Sequence, residues 1–198
     1  MPDEGYDLKR AKFPDLLVEM NLLEAGAEVG VFEGWHAKLI LDRWPGKLYA
    51  VDPHHNPDVH PGEPYNQEHV NDLTRPPHEI RPKSRWDRIR QNCVNALAPY
   101  GSRCEFWPVD SVTGAQATED GSLDWVYIDG RHDYEGVLED IQVWLPKAHQ
   151  GGVLAGHDYL HHESIKSWPG VTQAVDECFG DKVKTLDTGL ITTWYVLL

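Results

Sequence analysis

Residues 27–34 read Ala27-Glu28-Val29-Gly30-Val31-Phe32-Glu33-Gly34, and Leu48-Tyr49-Ala50-Val51-Asp52 follows after a helix-like stretch from Trp35 to Trp44. An apolar run carrying an acid passes two glycines and enters the helix. A second apolar run then stops at Asp52, eighteen residues beyond Gly34. In an open α/β sheet this order builds a nucleotide-type site: glycines let the backbone approach a ligand, and an acid ending the next strand binds ribose hydroxyls. A dinucleotide fingerprint needs glycine at relative positions one, three and six, where this chain has Gly30, Phe32 and Trp35. The glycines fall instead at positions one and five, after Glu28.

Outward from this stretch, strand and helix patterns alternate. Apolar residues at helical spacing predict a helix over Phe13–Leu23, followed by a strand over Ala27–Val31 and a helix over Trp35–Arg43. Pro45-Gly46 turns into a strand over Lys47–Asp52. Residues 53–82 break the pattern, holding seven of the fourteen prolines and five of the eleven histidines. Two readings stand for them, a lid leaving the ligand-binding edge of the sheet and a surface insertion. Regularity returns with a helix over Ser84–Ala98, strands over Cys104–Val109 and Leu123–Ile128, a helix from Tyr134 to Leu145 and a strand over Val153–Gly156. A helix around Val171–Phe179 precedes a closing strand pair, Lys182–Leu186 and Ile191–Leu198, about Asp187-Thr188-Gly189. Such alternation predicts a parallel, doubly wound sheet in a single domain spanning residues 1–198.

The bulk composition narrows the function classes. A chain of 198 residues with 40% hydrophobic residues can build one core of ordinary size. A net charge of −14 repels a phosphate backbone, so no nucleic-acid partner is expected; it suits a cationic ligand or a metal, or simply solubility. Cys93, Cys104 and Cys178 lack C-x-x-C spacing, which argues against a disulfide framework or cysteine-zinc site and fits a reducing cytoplasm. Neither a signal-like nor a membrane-spanning segment is read, so no membrane partner is expected. Homo-oligomerisation stays open; most of the eight tryptophans fit a core or a cleft.

Five successive strand ends carry polar groups: Glu28, Asp52, Asp110, Asp129 and the pair His157-Asp158. In a parallel sheet these ends share one edge and line one cleft. Any single acid among them reads equally well as a helix cap. His54, His55, His60, His69 and His78 match no zinc spacing, and His54, two residues after Asp52, is the one nearest the expected cleft.

The pattern Glu28-x-Gly30-x-x-x-Gly34, with the segment Tyr127-Ile128-Asp129-Gly130-Arg131-His132-Asp133-Tyr134 and the stretch Gly151-Gly152-Val153-Leu154-Ala155-Gly156-His157-Asp158, resembles class I S-adenosylmethionine methyltransferases from about residue 13 to the end. Within them it is similar to a branch of small-molecule O-methyltransferases that includes metal-dependent enzymes acting on sugars of natural products. The resemblance implies a Rossmann-like, mostly parallel seven-stranded sheet with an antiparallel C-terminal strand. It places Gly30 and Gly34 at the methionine part of the cofactor, Asp52 at the ribose, and Asp110 with Ser111 at the adenine. Glu28, Phe32, Pro53, His54 and Asp129 complete the implied cofactor-binding set. Phe32 stands where the wider superfamily often has a third glycine.

The metal-dependent relatives hold a divalent ion between an acid ending strand four and two acids ending strand five, matched here by Asp129, His157 and Asp158. His157 departs from that pattern, because magnesium prefers oxygen ligands and imidazole suits manganese, iron, nickel or zinc. Three readings follow: a softer metal on His157; magnesium on Asp129 and Asp158, with His157 as a base; or no metal. His132 matches the general base of the sugar-modifying relatives, since an acceptor hydroxyl needs deprotonation before it attacks a sulfonium methyl; its alternative role is a cap on the helix beginning near Asp133. The expected catalytic set is therefore His132, Asp129 and His157. The leading expectation is a methyltransferase acting on a hydroxyl of a small polar acceptor. A nicotinamide-dependent oxidoreductase and a non-catalytic cofactor-binding protein are the alternatives.

Overall fold

Val29 at the end of one strand pairs with both Val51 and Ile128, which puts three strand ends side by side. The computed structural model describes residues 10–54, 83–160, 169–186 and 191–198. Its elements are α1 (Lys12–Glu19), β1 (Ala25–Val29), α2 (Trp35–Arg43), β2 (Lys47–Val51), α3 (Lys83–Leu97), β3 (Cys104–Trp107), α4 (Ser111–Ala117), β4 (Leu123–Ile128), α5 (Tyr134–Trp144), β5 (Ala148–Leu160), α6 (Pro169–Phe179), β6 (Lys184–Thr185) and β7 (Ile191–Leu197). The seven strands pair in the order β3-β2-β1-β4-β5-β7-β6. β1 to β5 run parallel, and β7 lies antiparallel to both β5 and β6, as the resemblance implied.

Alternating side chains on the central strands feed two cores. Val29, Val51, Val126, Ile128 and Leu154 pack under Ala115 of α4, Val137, Ile141 and Trp144 of α5, and Val171, Ala174 and Val175 of α6. Leu48, Ala50, Trp125, Tyr127, Val153 and Ala155 face Phe13 and Leu17 of α1, Ala37, Ile40 and Leu41 of α2, and Cys93 and Leu97 of α3. The period of two along a strand separates these faces, and helices cover both. Trp44, Trp125, Trp144 and Trp194 are fully buried, so half of the eight tryptophans serve the cores.

Several expected boundaries move. β1 ends at Val29 rather than Val31, because Gly30 turns at φ 90° and donates its amide to Val51 O at 2.9 Å. β5 runs on to Leu160 rather than stopping at Gly156, because β7 supplies partners for Tyr159 and Leu160. The register shifts between Gly156 and Tyr159, a bulge that holds His157 and Asp158. α4 was not anticipated: Ser-Val-Thr-Gly-Ala-Gln-Ala has little apolar periodicity, and Asp110 sets it by accepting the Thr113 amide. Residues 55–82 of the expected insertion, and the expected turn at 187–189, lie outside the described residues. Among the described residues, no helix is long and apolar enough to cross a membrane.

Candidate active site

The glycine turn is built by backbone crowding. A Cβ on Gly30 would lie 2.2 Å from the Asp129 carbonyl oxygen, so any side chain there would push β1 away from the end of β4. Gly34 stands at φ 82° as the N-cap of α2, where L residues are strained. Between them Phe32 adopts φ 51°, an uncommon conformation for a bulky residue. Three contacts hold it there. Its N–H donates to Asp52 Oδ2 at 2.7 Å, Asp52 Oδ1 accepts the His54 amide at 2.6 Å, and His54 Nε2 lies 2.6 Å from the Phe32 carbonyl. A carbonyl only accepts, so Nε2 carries the proton. The buried His54 ring also packs on Phe106, 5.1 Å between centroids. His54 thus binds the glycine turn rather than opening into the cleft, which corrects its expected place beside the cofactor. Pro53 joins Asp52 to His54 and is half-buried.

Glu28 also departs from expectation. It is 1% exposed, on the α2 side of β1, with Oε1 2.9 Å from His36 Nδ1. Burial first, then the charge of Asp129, raises the Glu28 carboxyl well above its ordinary value, while burial lowers His36 well below its own. Both shifts favour an uncharged pair, with the proton on the carboxyl. Glu28 therefore props α2 against β1 from inside the fold.

At the end of β4 and in the β5 bulge four expected residues come together. His132 Nε2 lies 2.9 Å from Asp158 Oδ2 and 3.8 Å from Asp129 Oδ1. The bulge places Asp158 at φ 60°, a left-handed conformation that aspartate tolerates better than most residues. His157 Nδ1 stands 3.3 Å from Asp158 Oδ1. Ligating atoms of Asp129, His132 and Asp158 all lie within 4.8 Å of one another, so the convergent trio contains His132 where the family pattern suggested His157. His157 instead borders a pocket of about 10 Å³, room for a single water, between His132, Val137, Val171 and Trp194. The helix-cap alternative for His132 fails, since Asp133 caps α5 by accepting the Gly136 amide at 2.9 Å.

Arg10, a residue not singled out from the sequence, completes the cluster. Its Nη1 donates to Asp129 Oδ2 at 2.8 Å, with side-chain exposures of 10% and 14%. Burial opposes charge on Asp129, yet Arg10 and His132 hold its pKa below the ordinary carboxylate range. Burial opposes charge on Asp158 too, yet the hydrogen bond from His132 and the adjacent His157 ring depress it further. Burial would lower the His132 pKa, but pairing with the Asp129 and Asp158 carboxylates outweighs it and carries the imidazole up to about 10. The resting site is thus two carboxylates paired with an arginine and an imidazolium. A divalent ion fits this arrangement poorly: the imidazole nitrogen it would use is occupied by Asp158, and one Asp129 oxygen by Arg10.

At the β3 end, Asp110 Oδ1 accepts the Thr113 amide at 2.8 Å and Oδ2 the Thr113 hydroxyl at 2.7 Å, so it does cap a helix. Ser111 donates to Asp140 of α5 and accepts from Trp144 Nε1 at 2.9 Å. Burial pushes the Asp140 carboxyl up to about 7. Tyr159 donates to Asp176 at 2.6 Å.

Residues 23–159 match the family described as methyltransferase domain, and the chain belongs to that family. The failed dinucleotide spacing and this match agree, so the nicotinamide alternative is not favoured. No curated protein matches the chain. Solved structures share the fold at low identity. The O-methyltransferase NovP is 19% identical with a TM-score of 0.61, covering 97% of this chain and 78% of its own. The Bacillus cereus O-methyltransferase solved with S-adenosylhomocysteine is 15% identical with a TM-score of 0.58, covering 96% and 80%. TomG of Streptomyces achromogenes, an O-methyltransferase of tomaymycin synthesis solved with S-adenosylmethionine, is 13% identical with a TM-score of 0.57, covering 95% and 79%.

Proposed function

We propose that this chain transfers the methyl group of S-adenosylmethionine to a hydroxyl of a small polar acceptor, with a sugar as the leading class. The observation that carries this reading is the convergence of Asp129, His132 and Asp158 at the strand edge beside the glycine turn. The cofactor-bound neighbours named above support the choice of donor, and their names support an oxygen acceptor. Methyl transfer is an in-line displacement: the acceptor oxygen bonds to the methyl carbon as the carbon–sulfur bond breaks, leaving the electron pair on sulfur and S-adenosylhomocysteine as product. His132, once deprotonated, takes the acceptor's proton, and Asp158 orients its ring. Positioning of donor and acceptor supplies much of the rate.

The test is calorimetric titration of S-adenosylhomocysteine into the full chain, followed by transfer of labelled methyl from S-adenosylmethionine to a panel of polyhydroxylated small molecules. Saturable one-to-one binding and label in a hydroxylated acceptor are expected. Absence of binding would remove the methyltransferase reading, and label only on amines would move the acceptor class to nitrogen.

A further inference from the structure

We infer that Arg10 is a built-in cation of the site: it holds the Asp129 carboxylate and closes the Asp129–Asp158 pair to divalent metal ions. Two spacings deliver it there. Phe13 packs against Trp125 and Tyr127, ring centroids 5.3 and 4.8 Å apart. Trp125, Tyr127 and Asp129 follow at every second residue of β4 and its end, so they succeed one another on the α1 side of the sheet. Arg10 precedes Phe13 by three residues, close to one helical turn, and meets the next group in that row, Asp129, at 2.8 Å. Ala11 and Phe13, both within this turn, are 4% and 0% exposed, which anchors the arginine.

A metal ion within bonding distance of Asp129 would sit roughly 5 Å from a guanidinium that stays charged at all working pH values, a strongly repulsive spacing at low effective dielectric. His132 Nε2, the nitrogen such an ion would need, is already hydrogen-bonded to Asp158 at 2.9 Å. Arg10 is therefore a positioning residue. It fixes one oxygen of Asp129 and leaves the other facing His132 at 3.8 Å. For the methyl transfer proposed above, on which this consequence alone rests, the reaction runs without a divalent ion.

The experiment uses manganese(II) as probe, titrated into the metal-stripped full chain and read by electron paramagnetic resonance. Wild type and Arg10→Lys should show no stoichiometric site. Arg10→Met should gain one stoichiometric site, with an affinity at least about tenfold above any residual wild-type binding once the repelling charge is gone. Adding Asp129→Asn to Arg10→Met should abolish it. Arg10→Gln serves if the methionine variant does not fold. Equal manganese binding by wild type and the uncharged variant, whether tight or absent, overturns the inference. Titrating S-adenosylhomocysteine in parallel separates the two readings, since loss of cofactor binding by wild type rejects the methyltransferase and leaves the manganese result standing.

Discussion

Phe32 donates its backbone N–H to Asp52 Oδ2 at 2.7 Å while holding φ 51°, so the end of β2 stabilises a left-handed residue in the turn after β1. Phe32 is 39% exposed, and its side chain adds little to the core. Glycine takes this conformation freely, whereas alanine keeps the strain. Phe32→Gly should therefore be more stable than Phe32→Ala by about 1 kcal/mol in urea unfolding, reversing the usual order. Alanine ahead of glycine would mean that the turn relaxes to negative φ.

Asp52→Asn keeps one acceptor oxygen where two backbone amides now bind, so one amide loses its partner. A loss of about 1–3 kcal/mol in stability is expected, with weaker S-adenosylhomocysteine binding. Unchanged stability would show that water replaces the carboxylate there.

The buried Glu28–His36 pair predicts a contrast between two substitutions. Glu28→Gln preserves shape and an uncharged hydrogen-bonding group and should cost less than about 1 kcal/mol. Glu28→Ala leaves a cavity and an unpaired His36, and should cost about 2–4 kcal/mol. Equal costs in denaturant titration would argue for a charged carboxylate in the native state.

His132 carries a pH signature. Its pKa is raised from 6.5 to about 10, so its stabilising pairing is fully present below about pH 6.5 and is lost as pH rises through about 10. The stability difference between wild type and His132→Asn should shrink over that window. If His132 is the base, kcat/KM rises over the same range as the imidazolium deprotonates. A profile that levels off near pH 6.5 would contradict this pairing.

Asp140 titrates in a lower window. Its folded pKa of about 7 lies above the ordinary 3.8, so the native state binds the extra proton and stability falls as pH rises between those values. Asp140→Asn should lack that decline in urea midpoints measured from pH 4 to pH 7. A parallel decline in the variant would assign the slope to other groups.

The architecture was legible because it depends on local patterns. The helix Trp35–Arg43 and the strand Leu123–Ile128 fall where apolar periodicity and flanking turn residues put them. The helix Ser111–Ala117 escaped notice because an N-cap and packing under the sheet stabilise it, not a hydrophobic face of its own. Asp129 and Asp158 were legible as strand-end acids, and His132 through the family resemblance, in the loop three residues beyond Asp129. Their partners were not: Arg10 meets Asp129 across 119 positions of sequence, and His36 sits in a helix with nothing to mark its link to Glu28.

Sequence alone thus determined where the strands end and which of their acids stand near the carboxyl edge of the sheet, since strand period, glycine placement and turn chemistry are local properties of the chain. Tertiary structure decided what each does there. It turned Glu28 inward, bound His54 to Phe32, and chose His132 over His157 to stand between two carboxylates. The physical reason is that charge state and hydrogen-bond partner depend on burial and on groups brought close by packing, neither of which is encoded in spacing along the chain.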